Sequence, residues 1–188
     1  FVTSPVSFAS TANSILFNNS KPIFTDIDPE SLNLDVLRAS DFLIFDNFSL
    51  STDKGAKTIE YSLSLETDLR ICFGISDKSL VKKNDKKIKK VFLNKIYLLY
   101  GNEDEIKELE TVISNPALNT LISKGPEGAS YNQESFKASQ IEIVNSNGAG
   151  DALIGTFLAY ADTVSDKKAL KEAVSYATKV CKVNGPRL

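Results

Sequence analysis

The chain has 188 residues and a formal net charge of −2, with 42% hydrophobic and 24% charged residues. This length and composition predict one globular domain. The charge argues against a nucleic-acid partner, which needs a basic face, and no apolar run approaches the roughly 20 residues of a membrane span. The chain has no His, which excludes Ser-His-Asp and Cys-His catalysis and most zinc sites. Acid–base chemistry must therefore fall to carboxylates, lysine or tyrosine.

The cysteines indicate the cellular compartment, and the missing methionine bears on the reading frame. Two cysteines are too few for a disulfide framework, and Met is absent. Cys72, in a predicted strand, and Cys181, in a predicted helix, fit small buried hydrophobic positions in a reducing cytoplasm. We therefore expect a cytoplasmic protein, and the lack of Met suggests a piece of a longer reading frame.

Predicted strands and helices alternate along the chain. Apolar residues alternate at Leu69, Ile71, Phe73 and Ile75, a strand pattern, and recur at helical spacing in the helices. The predicted order is helix 11–17, strand 22–27, strand 41–45, helix 53–65, strand 69–75, Lys-rich helix 78–92, strand 95–100, helix 103–113, strand 118–123, hairpin 129–138, strand 141–144 and helices 150–162 and 167–183.

This alternation predicts βαβ units, a mostly parallel sheet and an α/β fold. Ligands of such sheets bind at the carboxyl ends of the strands. Three loops, at 101–105, 123–128 and 145–151, follow predicted strands. We expect them to converge on one edge of the sheet.

The Lys-rich run Lys82–Lys90 could suggest nucleic-acid binding. We favour a solvated helix face, because Ile88 provides an apolar position opposite the lysines and no aromatic stacking residues are interleaved.

The most informative segment is Ile141-Glu-Ile-Val-Asn-Ser-Asn-Gly-Ala-Gly-Asp151. Its first four residues predict a strand and residues 152–160 a helix, so a glycine turn would deliver Asp151 to the first turn of that helix. Backbone N–H groups at a helix start favour phosphate or another anion. The alternative is an ordinary strand-to-helix turn in which Asp151 only stabilises the helix start.

This segment resembles the C-terminal signature of the PfkB (ribokinase-like) family of carbohydrate and nucleoside kinases, usually Asp-Thr-x-Gly-Ala-Gly-Asp. Asn102-Glu-Asp-Glu105 resembles the family's Asn-x-x-Glu motif, and Leu121–Ala129 its strand and glycine loop. Ile75-Ser-Asp77 and Val183–Leu188 are similar to the adenosine-kinase-like branch. The resemblance covers about residues 38–188 and implies a Rossmann-like three-layer sandwich with a mostly parallel sheet.

The resemblance also implies roles for residues. The family transfers the γ-phosphate of ATP to a hydroxyl of a sugar or nucleoside, so Asp151 would be the general base and the amides of Gly148, Ala149 and Gly150 the anion hole. Asn102 and Glu105 would hold Mg²⁺ through water. Without the family, a solvated helix-start carboxylate would be the favoured interpretation of Glu105. The implied ATP contacts are Ser123, Gly125, Gly128, Asn147 and Asn184. A small-molecule substrate is expected, and a homodimer is compatible with the family.

The chain also departs from the family pattern. Asn145 and Ser146 stand in place of Asp-Thr. The family's N-terminal half is not found, so we expect a domain truncated at the N-terminus and lacking the lid. Residues 1–37 instead resemble a helix and strand of DegT-type, pyridoxal-phosphate-dependent sugar aminotransferases. The alternatives to a kinase are therefore an aminotransferase fragment, or a non-catalytic nucleotide-binding module. Against the former, the cofactor-binding lysine motif has no counterpart here.

Overall fold

A computed structural model describes residues 2–3, 23–24, 34–65, 68–93, 96–114 and 119–184. The chain forms two compact units, one of residues 1–6 and 23–119 and one of residues 7–22 and 120–188. Each unit is considered by itself. The helix predicted at 11–17 lies outside the described residues. Of the strand predicted at 22–27, only Ile23–Phe24 is described, and these two residues are a strand.

The first unit is built on a parallel sheet. Its strands are β1 Val2–Thr3, β2 Ile23–Phe24, β3 Phe42–Asp46, β4 Arg70–Gly74 and β5 Ile96–Asn102. They pair in the order β2-β1-β3-β4-β5, and every pair is parallel. The described helices of this unit are α1 Leu34–Arg38, α2 Asn47–Leu50, α3 Asp53–Ser64, α4 Ser79–Lys83, α5 Asp85–Val91 and, after β5, α6 Glu103–Glu110. The predicted parallel α/β arrangement is confirmed for this unit.

Strand β4 lies in the centre of this unit's core. Cys72, Phe73 and Ile75 are all fully buried, although they do not share one face of the strand. The strand predicted at 69–75 is confirmed as β4, whose last three residues are buried while Arg70 and Ile71 are partly buried. The end of this strand has parallel neighbours and is covered on both faces, so it has no solvent side.

One glycine sets the distance between α2 and α3. A Cβ added to Gly55 would collide with the carbonyl oxygen of Ser49, so the two helices pack with a backbone contact that only glycine allows. On the same helix, Ala56 and Ile59 are buried, and Leu63 on the same face is partly buried.

The Lys-rich helix predicted at 78–92 is two helices, α4 and α5, that meet at Asn84. The Asn84 side chain is buried, and its Nδ2 donates to the main-chain oxygen of Asn47 at 3.0 Å and to Oδ1 of Asn47 at 2.7 Å. The prediction of one helix is wrong because a buried amide must be hydrogen-bonded, and these bonds fix the chain direction at Asn84. Several of the lysines form ion pairs at largely exposed positions, such as Lys78 with Asp104 at 3.2 Å.

The second unit combines a small antiparallel sheet with two helices. Strands β6 Asn119–Ser123, β7 Ala129–Tyr131 and β8 Glu134–Phe136 pair in chain order, and β7 and β8 form the predicted hairpin. Helices α7 Ala149–Tyr160 and α8 Asp166–Val180 pack against each other, and α8 also packs on β7 and β8. In the core, the rings of Tyr131 and Phe157 lie 4.6 Å apart between centroids.

The strand predicted at 141–144 is not formed. Residues 137–148 have no regular secondary structure, and the side chains of Ile143 and Val144 are 52% and 59% exposed. The N–H groups of Val144 and Asn145 both donate to the carbonyl oxygen of Cys181, beyond the end of α8. The β-branched pattern did not produce a strand because these bonds take the place of a strand partner.

Among the helices of the described residues, none is both long enough and apolar enough to cross a membrane.

Candidate functional site

The start of α7 has the geometry predicted for Gly148–Asp151, although a loop and not a strand leads into it. Gly148 precedes the helix in the left-handed conformation, with φ +82°, which glycine adopts without strain. Asp151 lies in the first helical turn and is partly buried. A Cβ placed on Gly150 would have no atom within 4 Å, so the backbone there faces open space.

The three predicted anion-hole amides are not equivalent. The Ala149 N–H donates to the carbonyl oxygen of Ser146 at 3.2 Å. Gly148 and Gly150 donate no backbone hydrogen bond within the described part of the chain. First-turn N–H groups have no partner inside their own helix, so these two remain available to an anion.

A second glycine loop follows β6. Gly125 and Gly128 both have positive φ, at +55° and +97°. A Cβ on Gly128 would collide with the Phe136 carbonyl oxygen, which makes this glycine a requirement of the turn. In contrast, a Cβ on Gly125 would have nothing within 4 Å. The Gly125 backbone is therefore open to a ligand.

The two glycine loops border one cavity of about 660 Å³ inside the second unit. This volume lies within the roughly 300–1,000 Å³ of small-molecule sites. None of the described residues that line it has a charged side chain, and most of them are apolar. Five predicted residues line it: Ser123, Gly125, Gly128, Ala149 and Gly150. The remaining lining is Pro126, Ala138, Ser139, Gln140, Ile141, Ile143, Ser146, Leu153, Val174, Ala177, Thr178 and Cys181.

Four other residues predicted for this site do not line the cavity. Gly148 and Asp151 adjoin it in sequence, beside Ala149 and Gly150. Asn147 is exposed, and its N–H donates to Oδ1 of Asn145 at 2.8 Å. Asn184 is exposed after the end of α8.

The apolar wall of the cavity is not among the predicted site residues. It is formed mainly by Val174, Ala177 and Cys181 at the end of α8, with Leu153 from α7. The sequence predicts Cys181 inside a helix, but it follows the last residue of α8. It is only partly buried, and this burial raises the pKa of its thiol. The amphipathic pattern of α8 could have indicated these positions, although periodicity does not separate a core face from a cavity face.

The Asn102–Glu105 motif lies in the first unit, at the carboxyl end of β5. It forms a capping box: Oδ1 of Asn102 accepts from the Glu105 N–H, and Oε2 of Glu105 accepts from the Asn102 N–H, both at 2.9 Å. Burial is the main cause that raises the pKa of the Glu105 carboxyl. The Asn102 N–H lowers this pKa, and the carboxylates of Asp77 and Asp104 raise it further. The motif therefore stabilises the start of α6.

These oxygen atoms are chemically suited to Mg²⁺, which prefers carboxylate and carbonyl oxygens and keeps several waters. The carboxylates of Asp77, Asp104 and Glu105 make the surroundings negative. In the described residues, no three Asp, Glu, His or Cys side chains are placed to hold a metal ion directly. The arrangement therefore fits a hydrated ion held through water better than one held by direct ligands.

Comparison with protein families gives a match over most of the chain. The model of the family described as pfkB family carbohydrate kinase matches residues 9–187. The chain belongs to the pfkB family of carbohydrate kinases. The glycine turn at the start of α7 lies within the matched residues.

Solved structures confirm the ribokinase-like α/β fold of this pfkB-family chain. Adenosine kinase from Sinorhizobium meliloti is 17% identical, with a TM-score of 0.75 over 89% of this chain and 62% of that one. Adenosine kinase from Schistosoma mansoni in complex with 2-fluoroadenosine is 18% identical, with a TM-score of 0.69 over 90% and 61%. Aminoimidazole riboside kinase from Salmonella enterica, complexed with aminoimidazole riboside and an ATP analog, is 16% identical, with a TM-score of 0.63 over 84% and 61%. The pfkB-family chain thus spans about three-fifths of these proteins' length.

One curated protein matches a short part of the chain. Spore coat polysaccharide biosynthesis protein SpsC from Bacillus subtilis (strain 168) is 46% identical over 37 residues, which are 20% of this chain and 10% of that protein.

Proposed function

We propose that this protein is a kinase that transfers the γ-phosphate of ATP to a hydroxyl of a sugar or nucleoside. The observation that carries the proposal is the cavity between two glycine loops, closed on one side by the start of α7. Family membership supports the same reaction class.

The cavity is suited to the uncharged part of a nucleotide. The lining residues that the structure describes carry no charge and are mostly apolar. The phosphates would instead lie at Gly148 and Gly150, where free N–H groups and the helix dipole favour negative charge. Such donors cost no reorganisation when charge develops on the transferred phosphoryl group.

Asp151 is proposed as the general base that takes the proton of the acceptor hydroxyl. Its place in the first turn of α7 puts it immediately after the amides proposed for the phosphates. A base in this position contributes typically about 10²–10⁴-fold to the rate. Within the first unit, Asn102 and Glu105 are proposed to hold Mg²⁺ through water, the ion that this reaction class uses.

The decisive experiment compares the protein with its Asp151→Asn variant. Calorimetry should detect MgATP binding to both, because Asn keeps the shape of the side chain. A phosphorylation assay with a panel of nucleosides and sugars should show transfer by the parent that falls by about 10²–10⁴-fold in the variant. Equal rates for the two proteins would exclude Asp151 as the base. Failure of the parent to bind MgATP would refute the kinase proposal.

We also propose that the kinase part spans residues 38–188 and that residues 1–37 are an aminotransferase-like segment. The second candidate is an aminotransferase fragment, which the resemblance of residues 1–37 supports. Incubation with pyridoxal phosphate tests it, since a bound cofactor would give a new absorbance band. The kinase proposal expects no such band.

A further inference from the structure

Asn147 and Gly148 form an Asn-Gly pair in the turn that precedes α7. In such a pair the main-chain nitrogen of glycine can attack the side-chain amide carbon of asparagine, because glycine has no Cβ to obstruct the approach. Asparagine is accordingly among the thermolabile residues. The sequence has one other Asn-Gly pair, Asn184-Gly185, but only Asn147 belongs to the glycine turn.

Both reacting groups of the Asn147–Gly148 pair are accessible. Asn147 is exposed, and its side chain makes no hydrogen bond with the residues that the structure describes. The Gly148 N–H donates no backbone hydrogen bond to them either. Across the turn, the Ala149 N–H donates to the Ser146 carbonyl oxygen at 3.2 Å. A solvent-exposed main-chain bond of this kind opens at little cost, so Asn147 can rotate toward the Gly148 nitrogen.

Asn145, two residues earlier, provides a comparison within the same loop. Its Oδ1 accepts from the Asn147 N–H at 2.8 Å, which fixes the orientation of its amide. The residue that follows it is Ser146, whose side chain hinders an attack by the Ser146 nitrogen. Of these two asparagines, only Asn147 therefore combines an amide without a hydrogen bond and a glycine as the next residue.

We propose that Asn147 is a site of spontaneous deamidation, which converts it to aspartate or isoaspartate and weakens phosphate binding at the start of α7. The Gly148 nitrogen loses its proton and bonds to Cγ of Asn147, while the bond from Cγ to Nδ2 breaks and ammonia leaves. Water then opens the resulting cyclic imide. Opening at Cγ gives aspartate, and opening at the main-chain carbonyl carbon gives isoaspartate. The net reaction consumes water and releases ammonia, with no oxidation or reduction.

The effect on binding rests on the proposed nucleotide site. Either product adds a negative charge beside the Gly148 amide, where the phosphates are proposed to lie. This carboxylate competes with phosphate for the N–H groups and the positive end of the helix dipole. Isoaspartate also adds a carbon to the main chain before Gly148, which turns the Gly148 N–H away from its present direction. A like charge a few ångströms away should weaken MgATP binding about tenfold.

Peptide mapping by mass spectrometry, after incubation at mildly alkaline pH, tests the site itself. Asn147 should gain the mass of an acid in place of an amide, and it should do so faster than Asn145. An unmodified Asn147, or faster conversion of Asn145, would overturn the proposal. Asn147→Gln should block the reaction, because the longer side chain would have to close a larger ring.

Calorimetry on the incubated samples tests the consequence. The affinity of the parent for MgATP should fall in proportion to the converted fraction of Asn147. The Asn147→Gln variant should keep the affinity of its own fresh sample. Equal losses in the two proteins would show that another change during incubation is responsible.

Bound phosphate should slow the reaction, because a phosphate oxygen on the Gly148 N–H holds the proton that must leave. MgATP and magnesium tripolyphosphate should therefore lower the conversion rate of Asn147, and adenosine, which has no phosphate, should not. Protection by adenosine but not by tripolyphosphate would contradict the position of the phosphates at Gly148.

A matched pair of variants isolates the effect of the charge. Asn147→Asp reproduces one product directly and should raise the Kd for MgATP about tenfold. Gln133→Glu adds the same charge in the exposed turn between β7 and β8, away from the lining residues, and should leave this Kd unchanged. Both positions are exposed, so neither change should prevent folding. Equal Kd values for the parent and Asn147→Asp would refute the effect on binding.

The deamidation site and the proposed function fail in different ways. If the fresh parent binds MgATP and Asn147 stays unmodified, the deamidation site is wrong and the kinase proposal stands. If Asn147 is converted but the fresh parent binds no MgATP, the proposed function is wrong, and the effect on binding fails with it.

Discussion

Gly150→Ala separates a structural role of the α7 glycine turn from a binding role. Gly150 is the second residue of the helix, and a Cβ there would meet no protein atom within 4 Å. Alanine has a higher helix propensity than glycine, by about 0.5–1 kcal/mol in a helix interior. The variant should therefore be at least as stable as the parent, and up to about 1 kcal/mol more stable.

Binding should change in the opposite direction. The methyl group would project into the cavity that Gly150 lines, where phosphate must approach the N–H groups. Loss of one hydrogen bond to a charged oxygen costs about 1.5–3 kcal/mol. This corresponds to roughly 10- to 100-fold weaker MgATP binding.

Urea unfolding measures the first quantity and calorimetry with MgATP the second. Ser175→Ala is a suitable control, because Ser175 is a helical residue of α8 that does not line this cavity. The control should also gain helix propensity, but its affinity for MgATP should not change. If Gly150→Ala bound MgATP as tightly as the parent, the phosphates would not lie at the start of α7. If it unfolded more easily, the space in front of Gly150 would not be open.

Three further predictions concern other parts of the chain. Gly55→Ala would force a methyl group against a carbonyl oxygen of α2, so urea titration should show a loss of about 1–3 kcal/mol; an unchanged midpoint would contradict this helix contact. Asn102→Ala removes the cap of α6 and should cost about 1 kcal/mol in thermal unfolding. Glu105→Gln keeps both capping bonds, and a comparable loss in that variant would argue against the capping box. A thiol reagent should label Cys181 before the fully buried Cys72. MgATP should lower the labelling rate of Cys181. An unchanged rate would mean that the nucleotide binds elsewhere.

Short-range signals explain what the sequence predicted well. The glycines before Asp151 specify a helix start by their own conformational freedom, and the structure places Gly148 in the left-handed region. Asn102 and Glu105 specify the start of α6 in the same local way, through reciprocal hydrogen bonds. Neither feature depends on distant residues, so pattern and spacing were sufficient.

The failures share a dependence on distant partners. Ile143 and Val144 have the character of strand residues, but the Cys181 carbonyl oxygen takes the N–H group of Val144. Asn84 is a polar residue in a helical pattern, and its burial against Asn47 ends the helix there. The apolar residues of α8 reveal an amphipathic helix, but they do not reveal that its last turn faces a cavity. None of these contacts produces a periodic pattern of residues in the sequence.

Among the described residues, all those that line the cavity come from one stretch of chain, residues 123–181. A recombination breakpoint before β6 would therefore keep the codons of all these residues together. The contacts of the cavity are also comparatively close in sequence, which favours rapid formation as the chain folds. Replacing the sequence before β6 would therefore leave these lining residues of the cavity unchanged.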